Sequence, residues 1–150
     1  MYKIMLALHL LFAIFAIGPL VHAATTAARG VRTGDSTATK SAARMLAIYS
    51  YASLLVVIFG FALMSSTSPY GKHDKVAEFG ETWIWVSTVL WLVAVALTLG
   101  LIVPSLKKAT ELLAAQGSAR ALTGRVAAAG GVVGVIFLAI VFLMVYQPGG

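Results

Sequence analysis

Four long runs of apolar residues alternate with shorter polar connections along the chain. The runs cover residues 4–23, 42–64, 82–103 and 126–146. Each run is long enough to cross roughly 30 Å of hydrocarbon, which takes about 20 helical residues. A backbone in lipid must satisfy its own hydrogen bonds, so runs of this length are predicted to be helices. The pattern predicts an all-α, polytopic membrane protein whose single domain, residues 1–150, is an antiparallel bundle of four transmembrane helices.

Two prolines interrupt this pattern, in the first run and just after the third. The pair Gly18-Pro19 is predicted to bend the first helix, because proline removes a backbone donor and clashes with the preceding turn. The helix is then predicted to continue to Gly30, a suitable C-cap, with Asp35 or Ser36 capping the second helix. After Pro104, the stretch PSLKKATELLAAQG contains good helix formers with apolar residues at helical spacing. It predicts an extension of helix three into the cytoplasm, most simply as a hairpin extension and alternatively as a docking helix.

The first run, which contains IFAIGPLVHA, also suits a secretory signal peptide with Val21 and Ala23 as the small residues before a cleavage site. Two features favour a retained membrane helix. The segment before the run contains Lys3 as its single basic residue, whereas signal peptides usually begin with more positive charge. Cleavage after Ala23 would also leave the basic residues that follow on the outer side of the membrane. We therefore expect the first helix to be retained as a membrane span.

Lysine and arginine concentrate in the first and third connections and at their edges. Eight of the eleven basic residues of the chain are found there, namely Arg29, Arg32, Lys40, Arg44, Lys107, Lys108, Arg120 and Arg125. The middle connection balances its two lysines with carboxylates. By the positive-inside rule, the first and third connections face the cytoplasm and both termini face outward.

Composition agrees with the bilayer as the solvent of this chain. Hydrophobic residues make up 60% of the sequence and charged residues 11%, with a mean hydropathy of +0.94. A soluble domain would have about a quarter of its residues charged. The net charge is +6, but membrane topology explains why the basic residues lie in two blocks between the apolar runs, so no nucleic-acid partner is expected. The absence of cysteine excludes disulfides, thiolate metal sites and Cys nucleophiles.

His9 is the polar residue of the spans that most invites a functional interpretation, because a polar ring in lipid is costly. The favoured prediction is a polar intramembrane cluster in which His9 bonds a hydroxyl of Tyr49, Ser50 or Ser53. A haem on His9 is the alternative, and it would need a second axial ligand at similar depth. His22 lies about 20 Å further along the helix axis and cannot supply one within the same chain. No cofactor is therefore expected.

The middle connection offers a second candidate site. His73, Asp74 and Glu78 provide an imidazole and two carboxylates, which are ligands for a divalent metal ion. A hydrated loop is the favoured interpretation, and no metal is expected. Trp83 and Trp85 follow at the predicted membrane boundary, where such residues are typical of an aromatic belt.

Span four differs from the others in its small residues. Small side chains let membrane helices approach closely, so these positions are predicted to form a helix-packing face. Its partner is either helix one or another protein. The face consists of Gly124, Ala128, Gly130, Gly131 and Gly134.

The stretch LALHLLFAIFAIGPLVHAATTAARG of helix one, with His9 and Gly18-Pro19, resembles the start of the DUF2269 family of small predicted integral membrane proteins. The resemblance implies a bacterial protein with four hydrophobic spans. It implies no catalytic residue and no cofactor.

Apart from Arg44, at the basic edge of the second run, no Asp, Glu, Lys or Arg lies inside any predicted span, which argues against a pump, a proton-coupled transporter or an ion channel. The chain also lacks a phosphate-binding loop, and we do not expect an enzyme. The first hypothesis is a non-enzymatic accessory subunit of a larger bacterial inner-membrane complex, respiratory or lipid-transporting, with lipid and other membrane subunits as partners. The alternatives are a homo-oligomer that binds or transports a lipid, quinone or drug near His9, Tyr49 and Tyr51, and a haem-binding redox carrier that uses His9.

Overall fold

The computed structural model describes residues 1–67, 69 and 76–149. Its four long helices are each long and apolar enough to cross a membrane, which confirms the predicted all-α architecture with four spanning helices. Each helix extends beyond its predicted span. We call the end of the bundle that carries the eight clustered cations the basic end, and the opposite end the distal end. The helices are α1 (Tyr2–Thr33), α2 (Ser36–Met64), α3 (Thr82–Ala114) and α4 (Arg120–Tyr146).

A two-residue turn joins α1 to α2 at the basic end. The helix continues through Gly30, so the predicted C-cap there is wrong; Gly34 ends α1 with a left-handed backbone, φ 70°. Glycine adopts this conformation at little steric cost. Gly30 instead permits close contact between the helices, because a Cβ on it would lie 3.1 Å from the Cβ of Ala38. Asp35 caps α2 as predicted, accepting a hydrogen bond from the Ala38 N–H at 3.0 Å.

α1 and α3 share one local distortion. Each contains a π-helical turn just before its proline, Ala13–Ile17 in α1 and Thr98–Ile102 in α3. A proline ring clashes with the carbonyl four residues earlier, and for both Pro19 and Pro104 that carbonyl belongs to the π turn. The wider π turn relieves this clash, so each helix passes its proline without ending. The two helical hairpins of the molecule therefore share the same plan.

The basic half of the bundle contains most of the buried core. The part of α1 after its π turn packs most extensively on α4, and the corresponding part of α3 packs on α2. The extension of α3 past Pro104 belongs to this core, and its Thr110 Oγ1 lies 2.7 Å from Thr39 Oγ1 of α2. This extension is thus a packed part of the bundle. The core side chains that are fully buried include Leu20, Leu46, Leu106 and Val126.

In the distal half, the four helices pack as two pairs. Before their π turns, α1 contacts chiefly α2, and α3 contacts chiefly α4. The first segment of α1, Tyr2–Phe12, has no buried side chain. A small second cluster, which contains Met64, Trp83 and Ile84, joins α2 to α3 at this end. At this end, the pair formed by α1 and α2 and the pair formed by α3 and α4 therefore contact each other mainly through large side chains.

Candidate functional site

His9 lies at the seam between α1 and α2 in the distal half. Its Nδ1 is 2.9 Å from the Val56 carbonyl oxygen. A carbonyl oxygen can only accept a hydrogen bond, so Nδ1 carries a proton and donates it. In the neutral imidazole, the other ring nitrogen, Nε2, then has a free lone pair. The backbone of α2 thereby selects the tautomer of His9.

Gly60 of α2 provides the surface on which the imidazole rests. A Cβ built on Gly60 would lie 3.1 Å from His9 Cε1 and 3.3 Å from His9 Nδ1, with no other such contact within 4 Å. The Nδ1–Cε1 edge of the ring therefore faces α2, and Nε2 is turned away from it. Any larger residue at position 60 would push the ring outward.

Nε2 of His9 makes no hydrogen bond to a described residue. Within the described part of the chain, the buried side-chain polar atoms without a partner are Ser50 Oγ, Ser87 Oγ and Thr123 Oγ1. Nε2 is not one of these atoms, and its residue is half-buried, so the nitrogen is reachable from outside the bundle. A polar atom without a partner is costly in hydrocarbon, which makes this nitrogen a place for a hydrogen-bond donor.

The hydroxyls that were expected to bond His9 belong to a separate polar strip between α2 and α3. Ser53 Oγ donates to the Ser50 carbonyl at 2.6 Å and accepts a hydrogen bond from Trp91 Nε1 at 3.0 Å. Tyr49 is half-buried and packs on the core of the basic half. The structure joins two members of the predicted cluster, Ser50 and Ser53, and places the hydrogen bond of His9 elsewhere.

The register of the first hairpin explains this arrangement. In an antiparallel helix pair, residues equally distant from the connecting turn lie opposite each other. Counted from the turn at Gly34-Asp35, His9 lies opposite Gly60 and not opposite Ser53. Gly60 was missed by the sequence analysis, because the predicted end of helix one at Gly30 misplaces the turn and, with it, the residue that lies opposite His9.

An aromatic pair lies in the same seam as His9. The rings of Phe12 and Phe59 stack with their centroids 5.3 Å apart and their planes 5° from parallel. Phe12 lies one turn after His9 on α1, and Phe59 precedes Gly60 on α2. Aromatic faces prefer stacked or edge-on contact with other flat rings.

The small residues of α4 are divided between two faces. One face meets α1, where a Cβ on Gly130 would overlap the carbonyl oxygen of Ala24. On the same face, a Cβ on Gly134 would lie 3.2 Å from Thr25 Cγ2. Helix one is therefore the partner of this part of the predicted packing face.

The other three small residues of the predicted face point away from the described bundle. A Cβ on Gly124 or Gly131 would meet no atom within 4 Å, and Ala128 is exposed. These three positions recur at helical spacing along one side of α4. We call Gly124, Ala128 and Gly131 the outward face of α4.

Two members of the candidate metal site, His73 and Asp74, lie outside the described residues. The third, Glu78, is exposed, and its backbone N–H donates to Glu81 Oε1 at 3.0 Å. The second oxygen of Glu81 accepts a hydrogen bond from Trp83 Nε1. These bonds position an indole at the distal boundary, where tryptophan is common in membrane proteins.

Spanning helices with exposed cations gathered at one end define a small multi-pass membrane protein, which contacts the lipid bilayer along its sides. The family described as predicted integral membrane protein (DUF2269) matches residues 3–148. The chain belongs to this family, and the resemblance first seen in helix one is confirmed over nearly its whole length. No curated protein and no solved structure matches the chain.

Proposed function

We propose that this protein is a non-enzymatic accessory or assembly subunit of a larger complex in the bacterial inner membrane, of the respiratory or lipid-transport type. The outward face of α4 is the observation that supports this role. At Gly130 the same helix already shows that a missing side chain lets two backbones touch. The outward face offers a second helix, supplied by another subunit, the same close approach.

The membrane setting strengthens this interpretation of the outward face. When two membrane helices associate, their apolar surface moves from lipid to protein and gains no hydrophobic free energy. Contact between them therefore depends on close packing and on hydrogen bonds. A row of small residues that faces lipid makes fewer dispersion contacts with its surroundings than larger side chains would make. A partner helix seated on Gly124, Ala128 and Gly131 recovers those contacts.

Native purification tests the subunit role. The chromosomal protein is tagged, extracted in mild detergent, and its co-purifying proteins are identified by mass spectrometry. We expect a defined set of membrane proteins to co-purify with the wild type. The Ala128→Leu variant, whose larger side chain fills the outward face, should lose this set. Ala96→Leu adds the same bulk at an exposed position of α3 and should retain the set. A wild-type protein that isolates as a stable monomer would contradict the proposal.

A second candidate function is the binding or transport of a small membrane-soluble molecule by a homo-oligomer. Nε2 of His9, which bonds no described residue, favours it, because this nitrogen offers a hydrogen-bond acceptor within the membrane. The structure does not bring Tyr49 and Tyr51 to His9: Tyr49 packs on the core of the basic half, and Tyr51 is 63% exposed. Flux of a substrate into liposomes that contain this protein alone, lost in His9→Ala, would support it, whereas unaltered flux in the variant would refute a role for His9.

Haem binding by His9 is a further alternative, since metal-bound histidines usually donate their other N–H to a carbonyl or carboxylate. His22, the other histidine among the described residues, is exposed and about 20 Å away along the axis, so it cannot be the second axial ligand in the same copy. The absorption spectrum of the purified protein tests this alternative directly. A preparation without a Soret band would end it.

A further inference from the structure

We propose that the seam of α1 and α2 binds a flat-ring amphiphile whose hydroxyl group donates a hydrogen bond to Nε2 of His9. The chemical class is that of a membrane-soluble hydroquinone or another phenol with an apolar tail. This inference rests on the second candidate function, the binding of a small molecule, and it specifies the chemistry of that ligand.

The hydrogen-bonding state of His9 selects a donor. Because the Nδ1–H group donates a hydrogen bond to the Val56 carbonyl oxygen, at 2.9 Å, the neutral ring presents a lone pair at Nε2. A hydroxyl can donate to that lone pair. The carbonyl groups of a quinone are acceptors only and leave it unsatisfied. A ring with hydroxyl protons should therefore bind better than the same ring without them.

The position of His9 selects a molecule that dissolves in the membrane. His9 lies about 10 Å along the helix axis from Tyr2, the first residue of α1. The segment between them is apolar apart from Lys3. A ligand that reaches Nε2 must therefore enter the hydrocarbon region with its ring, and an apolar tail makes this favourable.

The shape of the seam favours a thin ligand over a protein helix. The imidazole is half-buried with its Nδ1–Cε1 edge against Gly60, whereas nearby side chains on the two helices, Leu10 and Ile58, are 51% and 56% exposed. A flat ring can enter between such side chains, while a helix surface would rest on top of them. The stacked pair Phe12 and Phe59 supplies aromatic faces in the same seam.

A paired set of ligands tests this selection. Decylhydroquinone and decylbenzoquinone have the same carbon skeleton and tail and differ by two electrons and two protons, so the hydroquinone carries hydroxyl donors on an aromatic ring where the quinone carries carbonyl acceptors. Both are titrated against the full chain in lipid nanodiscs, without oxygen, and binding is followed by ligand-observed NMR. We expect the hydroquinone to bind about fivefold more tightly, the effect of one net hydrogen bond. In protein with ¹⁵N-labelled histidine, the Nε2 signal of His9 should be that of an unprotonated nitrogen and should shift on hydroquinone binding.

The control variants separate Nε2 from the rest of the ring. His9→Asn keeps an N–H donor for the Val56 carbonyl but has no acceptor at the position of Nε2, because its amide oxygen is bonded to Cγ. The preference for hydroquinone should therefore vanish while the helical fold is kept. His22→Asn makes the same change at an exposed site and should leave the preference intact. Gly60→Ala, which pushes the ring outward, should weaken binding of the hydroquinone.

Each outcome decides between the interpretations. Equal affinity for both ligands in the wild type, or an unchanged preference in His9→Asn, overturns the inference, although binding itself would leave the second candidate function standing. If neither ligand binds, the inference and its flat-ring ligand class are both rejected. If the Nε2 signal shifts with protein concentration and no added ligand, another copy of the chain fills the acceptor and the inference is likewise wrong.

Discussion

The basic and distal halves of the bundle are made by the same four helices and are packed in different ways. In the basic half, small residues such as Gly30 and Gly130 bring helix backbones into contact around a continuous core. In the distal half, larger side chains face outward, with Ile4 60% and Val145 71% exposed. We infer that the basic half supplies most of the stability, and that the distal half leaves surfaces such as the His9 seam open to other molecules.

The largest effect is expected at the contact between α1 and α4. In Gly130→Ala the new Cβ overlaps a backbone carbonyl, which cannot move as a side chain would, so we expect a loss of about 3 kcal/mol or more in the free energy of unfolding. Gly131→Ala adds the same group where no atom lies within 4 Å and should change stability by less than about 0.5 kcal/mol. Unfolding by SDS in mixed micelles measures both. Equal losses would remove the distinction between the two faces of α4.

Core truncation tests the two halves directly. Leu106→Ala removes a fully buried side chain and should cost about 3 kcal/mol through lost contacts and the cavity that remains. Ile4→Ala shortens a side chain that is 60% exposed and should cost less than about 0.5 kcal/mol. The same SDS titration compares them. A distal variant as unstable as the basic one would show that the halves are equally important to the fold.

Removal of the side-chain cap of α2 is expected to have an intermediate effect on the stability of the protein. Asp35→Ala removes the acceptor for the Ala38 N–H and should destabilise the protein by about 1 kcal/mol. Asp35→Asn keeps a side-chain oxygen and should recover most of that loss. The midpoint of thermal unfolding in detergent reports on both variants. An asparagine as harmful as alanine would mean that the charge, and not the cap, stabilises the turn.

The smallest effect is expected at the bridge between the two helix pairs. Trp91 Nε1 donates to Ser53 Oγ at 3.0 Å, and hydrogen bonds between membrane helices contribute about 0.6 kcal/mol on average. A double-mutant cycle with Trp91→Phe and Ser53→Ala should give a coupling energy of that size. Additive effects of the two substitutions would show that this bond does not connect α2 with α3.

The candidate site was predictable in part. His9 stands out in the sequence because a polar ring in an apolar run is costly. Its partner, Gly60, follows only once the turn at Gly34-Asp35 fixes which residues of the hairpin lie opposite each other. The tautomer depends in turn on the Val56 carbonyl, a backbone group that no side-chain pattern reveals.

The sequence by itself determined that there are four helices, each long enough to span the bilayer, and it offered Asp35 as one of two candidate caps, because the bilayer demands long apolar helices and a cap is a local interaction. It also predicted a packing face on α4. Only the tertiary structure decided that Gly130 and Gly134 meet α1, while Gly124 and Gly131 point outward. The reason is that hydropathy is nearly the same all around a membrane helix, so its rotation and register are set by the few places where backbones approach closely.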